Sequence, residues 1–191
     1  MGTVNNVKKE IMLLNERFMT EADDKYNFWE EHIKFVVHEA LVLAEKYNAD
    51  AEIVDLAALL HDVAIMAKIG TRAEHHINGA KLAETILSKY NYPQERIEKV
   101  KKAVFNHRSG KNLTDIEDIC VADADILAHF DNIPMLLNIF FNKSNSSYNS
   151  LPDLRNKMKE FFDYDYNDLS EKTKIEFSDR YKLLCNIVIG L

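Results

Sequence analysis

Apolar residues recur along this chain mostly at intervals of three and four, the spacing that lines one face of an α-helix. Val7, Ile11, Leu14 and Phe18 predict a first helix over residues 4–20. Phe28, His32, Val36, Ala40, Leu43 and Tyr47 predict a longer one over 27–47 and place His32 on its inward stripe. Asn48-Ala49-Asp50 interrupts the pattern, and Asp50 is suited to cap the next helix. That helix, Ile53 to Ala67, is apolar on nearly every side and therefore reads as buried. Within it lies Leu59-Leu60-His61-Asp62-Val63, with Asp55, Leu59, Asp62 and Met66 sharing one side.

Lys68-Ile69-Gly70 reads as a loop, and Thr71-Arg72-Ala73-Glu74 has the form of a capping box that starts a helix at Arg72 and carries it to about Tyr90. This puts His75 and His76 in its first turns, where either can face inward. Pro93 is placed at the first position of another helix, whose inward row is Ile97, Val100, Val104 and His107. Thr114-Asp115-Ile116-Glu117 forms a second capping-box pattern, opening a helix through Asp123-Ala124-Asp125 that Pro134 kinks or restarts. Asn142 to Ser150 is an Asn/Ser-rich loop. Beyond Pro152, Leu154, Met158, Phe161 and Phe162, then Phe177, Tyr181, Leu184 and Val188, fit covering helices. No run alternates with the period of a strand, so the expected class is all-α. The expected organisation is one domain over 1–191: a core at 28–130, an N-terminal helix at 1–27 and a helical cover at 142–191.

Composition narrows the function classes more than the fold. At 191 residues, with 47% hydrophobic and 29% charged, the chain is long enough for one well-buried core. Five Gly and three Pro leave few turns, which favours long helices. A formal net charge of −7 argues against a nucleic-acid polymer or an anionic membrane as partner. Cys120 and Cys185 stand among apolar neighbours and form no CxxC, as expected of buried thiols in a reducing compartment. There is no long apolar segment, and Asn6 occupies the position where a myristoylation signal needs Ser or Thr. The chain is expected to be cytoplasmic, so the Asn-x-Ser/Thr triplets at Asn112, Asn142 and Asn145 carry no meaning as glycosylation sites.

The candidate chemistry lies on the apolar stripes. His32, His61, Asp62, His75 or His76, His107 and Asp125 come from different predicted helices and point inward. A single inward histidine is ordinarily a hydrogen-bonded core residue, and Asp123 or Asp125 can be read as dipole-favoured helix acids. Six such groups in one small domain are hard to satisfy separately, whereas one metal centre satisfies them together. Imidazole and carboxylate donors suit Mn, Fe, Co, Ni or Zn and tolerate Mg. The absence of cysteine from the set argues against a structural zinc site.

His32, then His61-Asp62, then Asp125 resembles the H…HD…D signature of the HD superfamily of metal-dependent phosphohydrolases. Asp55-Leu56-Ala57-Ala58-Leu59-Leu60-His61-Asp62 and Val121-Ala122-Asp123-Ala124-Asp125 carry the likeness, which covers about 28–130. The resemblance implies a divalent metal held by His32, His61, Asp62 and Asp125, the second carboxylate of the Asp-x-Asp being the ligand. It further implies a second metal on His75 and His107 with Asp62 bridging, because His75 precedes Gly79-Ala80 as in the family's H-x-x-x-G-A; His76 is the alternative to His75. The family's HDxGK lysine is missing here, so Lys68, Arg72 or Arg108 stand in as phosphate contacts by location. The GYP motif of cyclic-dinucleotide phosphodiesterases is absent.

The reaction so implied is hydrolysis of a small phosphoester, a nucleotide foremost. A metal-bound hydroxide would attack phosphorus, Asp62 orienting the water and Lys68, Arg72 and Arg108 stabilising the phosphoryl oxygens. The cofactor is one or two divalent ions (Mn, Fe, Mg, Co, Ni or Zn), and the partners are a small phosphorylated substrate and, optionally, a second copy of the chain. Two alternatives stand beside this: a two-iron oxygenase of the same fold, and a non-catalytic metal-binding regulatory module. His129, one turn after Asp125, reads as a substrate contact, as a group behind the ligands, or as an ordinary surface histidine.

Overall fold

The computed structural model describes residues 2–21, 26–142 and 150–190. Among these residues all regular structure is helical. The helices are α1 (Gly2–Glu21), α2 (Lys34–Tyr47), α3 (Ala51–Leu60), α4 (Val63–Met66), α5 (His75–Lys89), α6 (Gln94–Asn106), α7 (Ile116–Asp131), α8 (Ile133–Asn142), α9 (Leu151–Asp168) and α10 (Glu171–Ile189). A π-helical turn, Trp29–Ile33, leads into α2, and a 3₁₀ turn, Arg72–Glu74, leads into α5.

Helix α3 is the centre, packed against α1, α2, α5, α6 and α7. Its residues Ile53, Val54, Leu56, Ala57, Ala58, Leu59 and Leu60 are all buried, as expected of a helix apolar on every side. The Phe28–Tyr47 stripe is buried along its full length, His32 included, and α7 lies against it. Helices α9 and α10 pair with each other and touch α7, forming the cover. Ser150 caps α9 by accepting from the Asp153 amide, with Pro152 in the first turn, and Ser170 caps α10 by accepting from the Thr173 amide.

The boundaries depart from expectation in physically specific ways. The predicted 53–67 helix is not continuous: it ends at Leu60, and Asp62 takes φ −106°, ψ 16° before α4 begins. Asp50 does cap α3, accepting from the Ile53 amide at 3.3 Å. The Thr71–Glu74 box closes, yet it starts a 3₁₀ turn, with the α-helix beginning at His75. Pro93 is the N-cap of α6 and not its first residue. The Thr114–Glu117 box does not form, because Glu117 Oε1 accepts instead from the Asp50 amide at 3.2 Å. Pro134 marks a restart, α7 ending at Asp131 and α8 beginning at Ile133. Of the Asn/Ser-rich loop, 143–149 lies outside the described residues, as does the side chain of Val188. Both cysteines are free and buried.

Candidate metal centre

Four short segments converge on one spot, each presenting its side chain through a local device. His32 projects from the π-turn. His61 closes α3, and Asp62 sits in the sparsely populated bridge region of backbone space that active-site residues often occupy. Asp62 precedes α4 without capping it, so its carboxylate is free to turn inward. His75 opens α5 and His107 closes α6. Gly79 allows this assembly: a Cβ there would stand 3.2 Å from the His61 carbonyl oxygen and 3.3 Å from Val104 Cγ1. The glycine lets α5 lie directly on the end of α3, which brings His75 to Asp62.

The histidines share one orientation. Nδ1 of His61, His75 and His107 lies 2.7, 2.6 and 2.6 Å from the carbonyl oxygens of Ala58, Arg72 and Val104, each three residues back. A carbonyl only accepts, so Nδ1 carries the proton and, in the neutral ring, Nε2 presents a lone pair. His75 Nε2 and His107 Nε2 stand 2.9 Å apart, and His32 Nε2 and His61 Nε2 stand 3.1 Å apart. Asp62 lies between the two pairs. Its Oδ2 is 3.6 Å from both His32 and His61 Nε2, while its Oδ1 is 3.2 Å from His75 and 3.7 Å from His107. Asp125 Oδ1 completes the first group at 3.1 Å from His32 and 3.7 Å from His61.

These residues fit a metal. Two donors each about 2.0–2.1 Å from one ion at octahedral to tetrahedral angles are separated by roughly 2.9–3.4 Å, which matches both imidazole pairs. Asp62 Oδ1 is buried without a hydrogen-bond partner, a costly arrangement unless a cation faces it. Carbonyl-anchored imidazoles are also the usual form of metal-ligating histidine. The donor atoms fall into the groups His32–His61–Asp62, Asp62–His75–His107 and His32–Asp125–His129, so Asp62 is common to two of them.

Electrostatics separate the roles further. Burial pushes the His107 imidazole down to about 4, aided by His61, so this ring is neutral at physiological pH. Burial alone would raise the Asp125 carboxyl, but the hydrogen bond from His32 and the neighbouring histidines hold it well below its usual range. Asp123 moves the opposite way, raised by burial. It accepts from the Ser170 amide at 2.8 Å and the Ser170 hydroxyl at 2.5 Å, tying α7 to the cover and facing away from the cluster. Asp55, in the middle of α3, is likewise raised by burial, opposed by the charge of Lys8 on α1.

The structure brings His32, His61, Asp62, His75, His107 and Asp125 together. His76 is half-buried against Phe105, its ring centroid 5.3 Å away, and belongs to none of the donor groups. Lys68 and Arg72 line a cleft of about 260 Å³ that includes Ala64, Ile65, Thr71 and His75. Lys68 Nζ pairs with Glu21 at 3.0 Å, whereas the exposed Arg72 guanidinium has no ion-pair partner among the described residues. Arg108 donates to the Ala73 carbonyl at 3.4 Å, on the 3₁₀ turn that carries Arg72. His129 stacks on His32 and its Nδ1 is 2.8 Å from Asp165 Oδ2; burial lowers its pKa, but Asp165 outweighs that and the net shift is upward.

Sequence reasoning missed Asp165, a buried acid on α9. A signal was present: Asp165 follows Phe161 by four and Phe162 by three, which places it on the inward row. Asn15 and Asn132 were missed as well. Asn15 Oδ1 accepts from the Trp29 amide at 3.0 Å, and Asn132 Nδ2 donates to the Glu31 carbonyl at 2.9 Å, so the two bracket the turn that carries His32.

A helical scaffold that converges imidazole and carboxylate donors beside a cation-rimmed cleft defines a His/Asp metalloprotein. Residues 29–129 match the model of the HD domain, and the chain belongs to the HD domain family, a family of metal-dependent hydrolases. An uncharacterized protein of Clostridium beijerinckii is 30% identical over 70 residues, covering 37% of this chain and 45% of that protein, so the match spans less than half of that relative. The crystal structure of a predicted HD superfamily hydrolase from an uncultured Thermotogales bacterium superposes with a TM-score of 0.60 at 21% identity. That superposition covers 94% of this chain and 88% of the other, and the likeness concerns the fold.

Proposed function

We propose that this protein hydrolyses a phosphoester of a small molecule, with nucleotides as the first candidates. The observation that carries the reading is Asp62: one buried carboxylate whose two oxygens face two imidazole pairs, next to a cleft lined by Lys68 and Arg72. His32, His61, Asp62 and Asp125 would hold one divalent ion, and Asp62, His75 and His107 a second. An ion held there would supply Lewis-acid polarisation of a phosphoryl oxygen and would lower the pKa of a bound water towards about 7.

The chain's own groups do the rest. Asp62 accepts a hydrogen bond from the attacking water and fixes its direction. Lys68 and Arg72 bind the phosphoryl oxygens, and Arg108 braces the turn that carries Arg72. The buried histidines keep bulk water from the inner side. No helix among the described residues is long and apolar enough to cross a membrane; a cytoplasmic location is part of the proposal.

The test is metal analysis of the purified chain followed by phosphate release from a phosphoester panel with Mn, Mg, Co and Ni. Two equivalents of metal and release without oxygen are expected, with metal and turnover lost together in His61→Ala and Asp62→Ala. Lys68→Met and Arg72→Met should raise KM. Full turnover in Asp62→Ala would refute the reading, and bound iron with oxygen-dependent turnover would replace it with an oxygenase.

A further inference from the structure

Unlike His61, His75 and His107, which stand at α-helix termini, His32 lies outside the α-helices. It projects from a π-turn, a wide turn that replaces the ordinary backbone ladder and so needs support from elsewhere. The support comes from two asparagines, each 5% exposed. Asn15, on α1, accepts from the Trp29 amide at 3.0 Å through Oδ1 and donates to Asn27 Oδ1 at 2.9 Å. Asn27 Oδ1 in turn accepts from the Glu30 amide at 3.1 Å. On the other side, Asn132 Nδ2 donates to the Glu31 carbonyl at 2.9 Å and to Glu31 Oε2 at 3.1 Å.

Asn132 also joins two helices. Its backbone amide donates to the Ala128 carbonyl at 3.2 Å at the end of α7, and its Oδ1 accepts from the Met135 amide at 3.1 Å in α8. It follows Asp125 by two turns of helix. The Asn132–Glu31 bond therefore ties the backbone next to His32 to the helix that carries Asp125, and it fixes the 3.1 Å approach of His32 Nε2 to Asp125 Oδ1. Asn15 and Asn132 both lie outside the segment matched by the family model, 29–129.

We infer that Asn15 and Asn132 are positioning residues for the first metal site: they clamp the π-turn from both sides and set the His32–Asp125 separation. Helix α1 and the α7–α8 corner thereby belong to the metal centre, although neither supplies a ligand through these residues. The inference rests on the metal reading above. A side chain that orients a ligand typically contributes 10–100-fold to metal affinity.

The test is Co(II) titration of the full chain, followed by visible absorption, with folding monitored by circular dichroism. Asn15→Leu removes both the acceptor for the Trp29 amide and the donor to Asn27 Oδ1, Asn15→Gln keeps an amide that can do both, and Asn132→Asp turns the donor into an acceptor facing the Glu31 carbonyl. Asp50→Ala, at the far end of α3, is the control for lost stability alone. Asn15→Leu and Asn132→Asp are expected to bind the tighter cobalt at least about 10-fold more weakly, with an altered spectrum. Asn15→Gln and Asp50→Ala should keep the wild-type spectrum. If Asn132→Asp does not fold, the comparison of Asn15→Leu with Asn15→Gln decides. Wild-type affinity and spectrum in folded Asn15→Leu would overturn the clamp while leaving the metal reading intact; a wild-type chain that binds no cobalt would overturn both.

Discussion

Asp62→Asn should make the metal-free protein more stable and the metal-treated protein less so. Around Asp62 the metal-free site is rich in electron pairs: Nε2 of His61, His75 and His107 present lone pairs, because each Nδ1 is committed to a carbonyl. Asp62 adds a buried negative charge and an oxygen with no hydrogen-bond partner. An asparagine amide oriented towards His75 would put an N–H where Oδ1 now stands, 3.2 Å from His75 Nε2. Satisfying one such buried group contributes about 1–3 kcal/mol. At roughly 2–4 °C per kcal/mol for a chain of this size, the melting temperature in EDTA should rise by about 2–12 °C. With metal at about 100 times Kd, the wild type should gain about 2.7 kcal/mol, or roughly 5–11 °C, and the variant far less, since an amide nitrogen does not ligate. Melting both proteins at pH 8, with EDTA and with Mn, gives the four temperatures, and the order should invert between the two conditions. If the variant melts below wild type in EDTA, the account of an electron-rich site is wrong.

Three further outcomes follow from the same structure. Gly110→Ala would place a Cβ 2.1 Å from Asp123 Oδ1 and 2.7 Å from the Ser170 amide nitrogen; overpacking and the lost charged hydrogen bonds together should cost about 3–5 kcal/mol, and a melting temperature unchanged in calorimetry would contradict this. Hydrogen bonds from Arg96 hold the Asp50 carboxyl below its ordinary value, so this pair adds stability above that value and loses it as the pH falls through the lowered one. Asp50→Ala should therefore flatten the acid side of the stability–pH curve as well as removing a cap worth about 0.5–2 kcal/mol, as read by urea melts between pH 2 and 7. His75→Ala should leave one bound metal and His76→Ala two; the reverse result in metal analysis would move the second site to His76.

Much of this was legible in the sequence because the deciding forces are local. The Phe28–Tyr47 stripe, the Asp50 cap and the all-apolar central helix follow from side-chain periodicity and from groups three residues apart. What could not be read was set by distant contacts. The break at His61-Asp62 falls where Gly79 brings α5 onto the helix end, and an apolar pattern running through the break conceals it. The π-turn depends on Asn15 and Asn132, far apart in sequence. The Thr114 box fails because Glu117 binds the backbone of Asp50, a partner that spacing alone does not reveal. Asp165 stood on an inward row, but with no motif nearby to mark it.

Asp123 and Asp125 are two residues apart on α7, so they leave the helix about 200° from each other. One is gripped by Ser170 and the other reaches His32. A protein engineer can treat the pair as separate controls: substitutions around Gly110 and Ser170 adjust heat tolerance, and those around Glu31 and Asn132 adjust metal retention. Because bound metal itself raises the melting temperature, the two controls separate cleanly only when heat tolerance is read in EDTA.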